Sequence, residues 1–387
     1  MDNGSDGPAA ELPLKGLRLF ELGSSVAAPY GAWLMASLGA DVIKVERPGK
    51  GDDARVWGEM FPDGRASVFE SLNRDKRGVT VDFKNPEECA RLRELILETG
   101  DVVLQNLRPG QIERYGLDAA TLRKEKPSLI YCNIWAYGSG GPMRDKPGYD
   151  PLMQAYGGLM STTGEKGRAP VRVGTSIIDM GTGMWCAIGI LAALQKRTLT
   201  GEGGVIDTSL YETALGWMTY HLVGRQASGR DPSRQGSGAP GMVPYQVYPC
   251  ADGYLMIAAP NDKLFALLSK VLGHPEWKDD PRFLTNQSRY ANIDALNELI
   301  EGRTKTRTRA EWQAEFDAVG LPSAPEQTVS EMMADPQTQA LGIMQQMAGQ
   351  PFSLMGMPVS FDGERPALNR MAPALGEHNK EIFGTEE

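Results

Sequence analysis

The chain has 387 residues, enough for two domains or one large interrupted domain at roughly 150 residues each. It carries 40 Lys and Arg against 49 Asp and Glu, a net charge of −9. That balance argues against a general electrostatic grip on nucleic acid or an anionic membrane, so an anionic ligand must be held by local cations. Apolar residues at 41% and charged residues at 23% match a folded globular chain.

The start, MDNGSDGPAAELP, is acidic and rich in Gly and Pro, and reads as a frayed tail and not as a signal peptide. The segment 16–22 (GLRLFEL) predicts a strand, 28–38 a helix and 41–46 (DVIKVE) a second strand. The segment 78–83 (GVTVDF) predicts a third strand. Next come a helix over 86–99 with Pro86 at its start, a strand at 101–105, a helix near 117–125 and a strand at 129–135. Such alternation predicts an α/β fold with a mostly parallel sheet, whose ligands lie beyond the carboxyl ends of its strands.

Residues 180–195 (MGTGMWCAIGILAALQ) are apolar on every face, as in a helix buried at the centre of a domain. This uncharged run falls short of the roughly 18–20 residues of a membrane span, so the expectation is a soluble, cytoplasmic protein. A strand at 205–209 and a helix at 210–223 follow. Residues 224–241 have no period and form a long loop or domain crossing. A hairpin is expected from strands 245–250 and 254–258, then a mainly helical stretch to about 318, then a mixed tail.

Rare residues narrow the chemistry. Three histidines and four scattered cysteines, Cys89, Cys132, Cys186 and Cys250, supply neither a zinc cluster nor a disulfide framework, and no metal is expected. The cysteines read as buried apolar groups in a reducing compartment. P-loop and nucleophile-elbow patterns are missing. Gly236, Gly238 and Gly241 satisfy G-x-G-x-x-G, but no strand runs into the motif and Pro240 would break the helix that should follow. A loop whose amides approach a ligand closely fits better.

Asp179, in GTSIIDMGTG at 174–183, stands at the mouth of the apolar helix. It reads first as an N-cap, a role that can coexist with that of a nucleophile, since helix-end amides would keep it ionised. Arg47, Lys84, Arg108 and Arg114 recur at strand ends and turns, the edge where a phosphorylated ligand would lie, with Asn106 as a neutral donor beside them.

The blocks GADVIKVER (39–47), NRDKR (73–77), VDFK (81–84), QNLRPG (105–110), GYD (148–150), QAYGG (154–158) and IGILAAL (188–194) fall in the order seen in class III CoA-transferases, the CaiB/BaiF family, which the chain resembles from Leu14 to His378. The resemblance implies a Rossmann-like large domain from both chain ends (1–223 and 327–387), a smaller α+β domain (224–326), and a homodimer of interlocked subunits. It implies a cytoplasmic enzyme that moves CoA from a small acyl-CoA, succinyl-CoA among them, to a carboxylic acid. Asp179 matches the family's nucleophile, which forms a mixed anhydride and then an aspartyl-CoA thioester. Coenzyme A contacts carry over to Arg47, Lys84, Asn106, Leu107, Arg108 and Arg114. The Gly236–Gly241 loop resembles one that shields the intermediates from water, and Trp57 falls near a position lining the acyl pocket. The family also holds α-methylacyl-CoA racemases, which need a Gly-His-Asp triplet. Here Tyr149 replaces that histidine, and a tyrosine with an ordinary pKa near 10 is a poor base at neutral pH. A non-catalytic CoA-binding protein is the remaining alternative.

Overall fold

The computed structural model describes residues 11–384, and most of the expected N-terminal tail lies outside them. The chain divides into two compact units. Among the described residues, one comprises 11–159, 173–222 and 339–384, the other 160–172 and 223–338. Residues 160–172, 223 and 327–338, expected in the large domain, fall in the second unit.

The first unit is built on β1 (Arg18–Leu22), α1 (Ala27–Ser37), β2 (Asp41–Glu46), α2 (Ser67–Asn73), β3 (Lys76–Thr80), α3 (Pro86–Thr99), β4 (Val102–Gln105), α4 (Gln111–Arg114), α5 (Ala119–Glu125), β5 (Ile130–Trp135), α6 (Asp150–Tyr156), α7 (Leu159–Thr162, which runs into the second unit), α8 (Ile177–Thr200), β6 (Gly204–Ser209), α9 (Leu210–Trp217) and α10 (Thr219–Ser228, mostly in the second unit). Its six strands are all parallel in the order β3-β2-β1-β4-β5-β6. Chain order reverses between β1 and β4, so the two loops leaving them diverge and open a crevice at that edge. Strands β1, β2, β4 and β5 are buried on both faces, which explains their continuous apolar runs, whereas the edge strand β6 leaves Val205 and Asp207 exposed.

The third strand departs from expectation. It covers Lys76–Thr80 and not 78–83, because two charged residues begin it, and the Lys76 ammonium is buried in the sheet layer, where it meets Glu21, the Asn73 side chain and the Pro29 carbonyl at 2.7, 2.9 and 2.9 Å.

Helix α8 packs across α1 with almost no side chain between them. A Cβ added to Gly183 would come within 2.8 Å of the Ala27 carbonyl and the Gly31 nitrogen, so only glycine fits that crossing. Contrary to a helix buried on all sides, α8 leaves Met184, Trp185, Ile188 and Leu191 exposed, because α1, β5 and β6 cover one side only. At 24 residues, with an 18-residue stretch of mean hydropathy 1.7, it is long and apolar enough to cross a membrane by length and composition. Here it serves as part of the helical layer on the sheet, and near its end Arg197 pairs with Asp101 at 2.9 Å.

The second unit has an antiparallel sheet, β7 (Tyr245–Cys250), β8 (Gly253–Ala258) and β9 (Ser323–Pro325) in that order, packed with α11 (Asp262–Val271), α12 (Asn286–Ala291), α13 (Ile293–Thr304) and α14 (Arg309–Val319) around Tyr248, Phe265, Trp312 and Phe316. Helix α10 extends to Ser228, five residues into the stretch expected to be loop.

Candidate active site

A cavity of about 480 Å³ opens at the carboxyl edge of the parallel sheet, within the first unit. Its lining follows from the topology. Ser24, Ser25 and Ala27 come after β1, Arg47 and Trp57 after β2, Asn106 to Pro109 after β4, Trp135 and Ala136 at the end of β5, and Leu210 after β6. Asp179 and Tyr149 complete the wall.

Asp179 lies in the first turn of α8 but is not its cap. Asp150, at the start of α6, accepts the Ile178 and Asp179 amides on Oδ2 at 2.7 and 3.2 Å, while its Oδ1 accepts from the Gln154 side chain at 2.6 Å. Gln154 in turn accepts the Val173 amide at 2.8 Å. With the free amides satisfied from outside, the Asp179 carboxylate receives no hydrogen bond among the described residues. The expectation that helix-end amides hold Asp179 ionised is therefore corrected. Burial, and then the charge of Asp150, push its carboxyl up to about 7, so it changes charge near neutrality.

The loop after β1 is clamped from two sides. Asn106 Oδ1 accepts the Ser24 amide at 3.0 Å and its Nδ2 donates to the Ser24 carbonyl at 2.8 Å, while Asp52 accepts the Ser25 amide at 3.0 Å. That second clamp matters because Ser25 holds a φ of +71°, a conformation non-glycine residues rarely adopt. Asp52 is itself tied into a buried charge array. Lys44 on β2 bonds Asp52 at 2.8 Å and Glu21 on β1 at 2.9 Å, and Glu21 bonds Lys76 at 2.7 Å. All four side chains are essentially inaccessible. The three carboxylates Glu21, Asp52 and Glu46 keep the Lys44 ammonium protonated despite its burial, whereas burial dominates at Lys76 and lowers it to about 8.

Of the residues singled out from the sequence, Arg47, Trp57, Asn106, Leu107, Arg108, Tyr149 and Asp179 meet around this one cavity. Arg47 is paired with Asp53 and donates to the Gly51 carbonyl at 2.8 Å. The Asn106 amide is spent on Ser24, so its contribution to the site is the shape of that loop. Lys84 and Arg114 do not line the cavity. Both are exposed, and their neighbours Phe83 and Tyr115 stack at 5.1 Å, with Phe83 lining an adjoining cleft that also includes Arg47 and Leu107. Gly236, Gly238 and Gly241 belong to the second unit. There the Gly236 amide donates to Gly164 at 3.0 Å, and a Cβ at Gly236 would meet the Glu165 carboxylate at 2.8 Å.

Sequence reasoning gave no role to Ser24, Ser25, Asp150, Arg144 or Lys146. Position alone could have flagged the serines, since they follow the strand at which the chain order reverses. Three of the four cysteines are buried and Cys250 is half-buried, all with free thiols.

Comparison with known proteins decides between chemistries that this geometry leaves open. Residues 14–379 match the model of CoA-transferase family III. The chain belongs to that family. The transferase is 35% identical to a succinate–glutarate CoA-transferase of Agrobacterium fabrum, covering 99% of this chain and 98% of the relative. It is 36% identical to a succinyl-CoA–D-citramalate CoA-transferase of Chloroflexus aurantiacus, covering 96% and 93%. A crystal structure of a CaiB/BaiF family protein from Brucella suis superposes with a TM-score of 0.88 at 38% identity, over 97% of the transferase and 99% of that chain.

Proposed function

We propose that the transferase moves CoA from succinyl-CoA to a second carboxylic acid, with Asp179 as the nucleophile. The observation that carries this reading is a carboxylate without hydrogen-bond donors, raised to about 7, on the wall of a cavity at the point where the strand order reverses. Once ionised, such a carboxylate is poorly solvated and therefore reactive toward an activated carbonyl.

The steps balance without metal or redox partner. An Asp179 oxygen bonds the acyl carbonyl, the C–S bond breaks, and CoA leaves as thiolate from a mixed anhydride. The thiolate then attacks the aspartyl carbonyl and releases the donor acid, leaving an aspartyl-CoA thioester. The acceptor carboxylate attacks that thioester, forming a second anhydride and freeing the thiolate again. Attack of the thiolate on the acceptor's carbonyl yields the new acyl-CoA and restores Asp179. Arg47 and Arg108 supply charge for the CoA phosphates, and binding there exchanges Asp53 for phosphate at Arg47. Lys84 and Arg114 contribute to CoA only along the adjoining cleft.

Two copies are proposed to pair through the apolar stripe Met184, Trp185, Ile188 and Leu191, which a lone chain leaves in water. Replacing Asp179 by Asn tests the chemistry. It should lower transfer from succinyl-CoA at least 1,000-fold with the fold intact by circular dichroism, and wild-type turnover in that variant would refute the assignment.

A further inference from the structure

The cavity contains two cations that this chemistry does not use. Arg144 and Lys146 lie on the loop between β5 and α6 and line the same cavity as Asp179 and Tyr149. Two backbone bonds shape the loop, from the Arg144 amide to the Gly141 carbonyl and from the Lys146 amide to Met143, at 3.3 and 3.0 Å. Neither side chain has an ion pair or hydrogen bond among the described residues, whereas Arg47 in the same wall is neutralised by Asp53. Asp53 and Asp179 are the carboxylates of the lining, set against Arg47, Arg108, Arg144 and Lys146. In a chain of net charge −9, the wall is locally cationic.

Strand order sets Arg47 apart from Arg144 and Lys146, with Arg108 between them on the strand next to β5. Arg47 directly follows β2 and Arg108 follows β4, while Arg144 and Lys146 come from the β5 side. Neighbouring strands lie about 4.8 Å apart, so β5 stands roughly 14 Å from β2 along the sheet edge. The loop is also tethered to the nucleophile, because Lys146 precedes by four residues the Asp150 carboxylate that holds the Asp179 amide.

We propose that Arg144 and Lys146 receive the second carboxylate of a dicarboxylic acyl group or acceptor, so that the transferase selects dicarboxylates over monocarboxylates of equal length. This rests on Asp179 being the acylated residue. When the acceptor arrives, Asp179 is a neutral thioester, and the cations face the acceptor's charge without a competing anion. A charge-assisted bond to either cation is lost outright when a methyl group replaces the carboxylate.

The test is single-turnover loading of Asp179 by succinyl-CoA and by butyryl-CoA, read by mass spectrometry in wild type and in the Arg144→Ala/Lys146→Ala variant. The thioesters share CoA and differ in the terminal carboxylate. The variant should lose at least 30-fold with succinyl-CoA and less than 3-fold with butyryl-CoA, and Arg144→Lys should keep most of the difference. Equal losses would mean that the cations hold CoA, and no loss would mean that they hold nothing; either overturns the proposal. Acylation of the wild type at a residue other than Asp179 would instead overturn the nucleophile reading and this inference with it.

Discussion

At the scale of single residues, the burial of Asp179, with the like charge of Asp150 beside it, sets the working pH. Asp150 both satisfies the first amides of α8 and raises the neighbouring carboxyl. Since attack needs the ionised form, kcat/KM for succinyl-CoA should climb with pH and level off above about 7. Asparagine at position 150 retains an oxygen for the Ile178 amide but removes the like charge. In Asp150→Asn the acidic limb of the kcat/KM profile should therefore move to lower pH, and a limb that stays or moves up would contradict this origin of the shift.

Asp179 itself was legible from its place before an apolar helix, together with the family blocks. Asp150 was not, because its partners are the amides of residues 28 and 29 positions later in the chain. Lys84 and Arg114 show the converse. Their spacing after strands placed them at the sheet edge, yet strand position does not set which way a turn sends an exposed side chain.

At the scale of elements, the parallel sheet carries its own ionic layer. Glu21 and Lys44 are partners in the β1–β2 register, and the array they form with Asp52 reaches the clamp on Ser25. Removing one partner of a buried ion pair costs about 3–5 kcal/mol. Lys44→Met should fall in that range by urea denaturation at pH 7, since it strands the buried Asp52 and leaves Glu21 with Lys76 alone. Lys76→Met should cost less, because burial already disfavours its charge and lowers it to about 8. The signs differ with pH. Between pH 8 and 10.5 the native state sheds the Lys76 proton while the unfolded chain retains it, so wild type gains stability relative to Lys76→Met as pH rises through that window. Equal costs for the two variants would contradict this ordering. Alternation of strand and helix was readable from hydrophobic period alone, while the start of β3 was not, because Lys76 and Arg77 look like turn residues until their buried partners are known.

At the scale of the whole molecule, the apolar stripe of α8 is the feature to explain. Periodicity showed a helix apolar all round, and a single chain covers one side of it. No pattern within one sequence distinguishes a helix buried by its own chain from one buried by a copy. The account predicts a mass by light scattering of twice the 42.1 kDa chain, and Ile188→Glu, which puts a charge in the middle of the stripe, should shift the population toward monomer. A monomeric wild type at micromolar concentration would rule out pairing through this face.

The central claim is that the acyl group and then CoA pass through one carboxylate. It is tested most directly by incubating the transferase with succinyl-CoA, quenching with hydroxylamine and mapping the modified peptide by mass spectrometry. The prediction is a hydroxamate on Asp179 alone, formed only when the thioester is present. A hydroxamate on another carboxylate, or none while transfer to an acceptor acid proceeds, would contradict it.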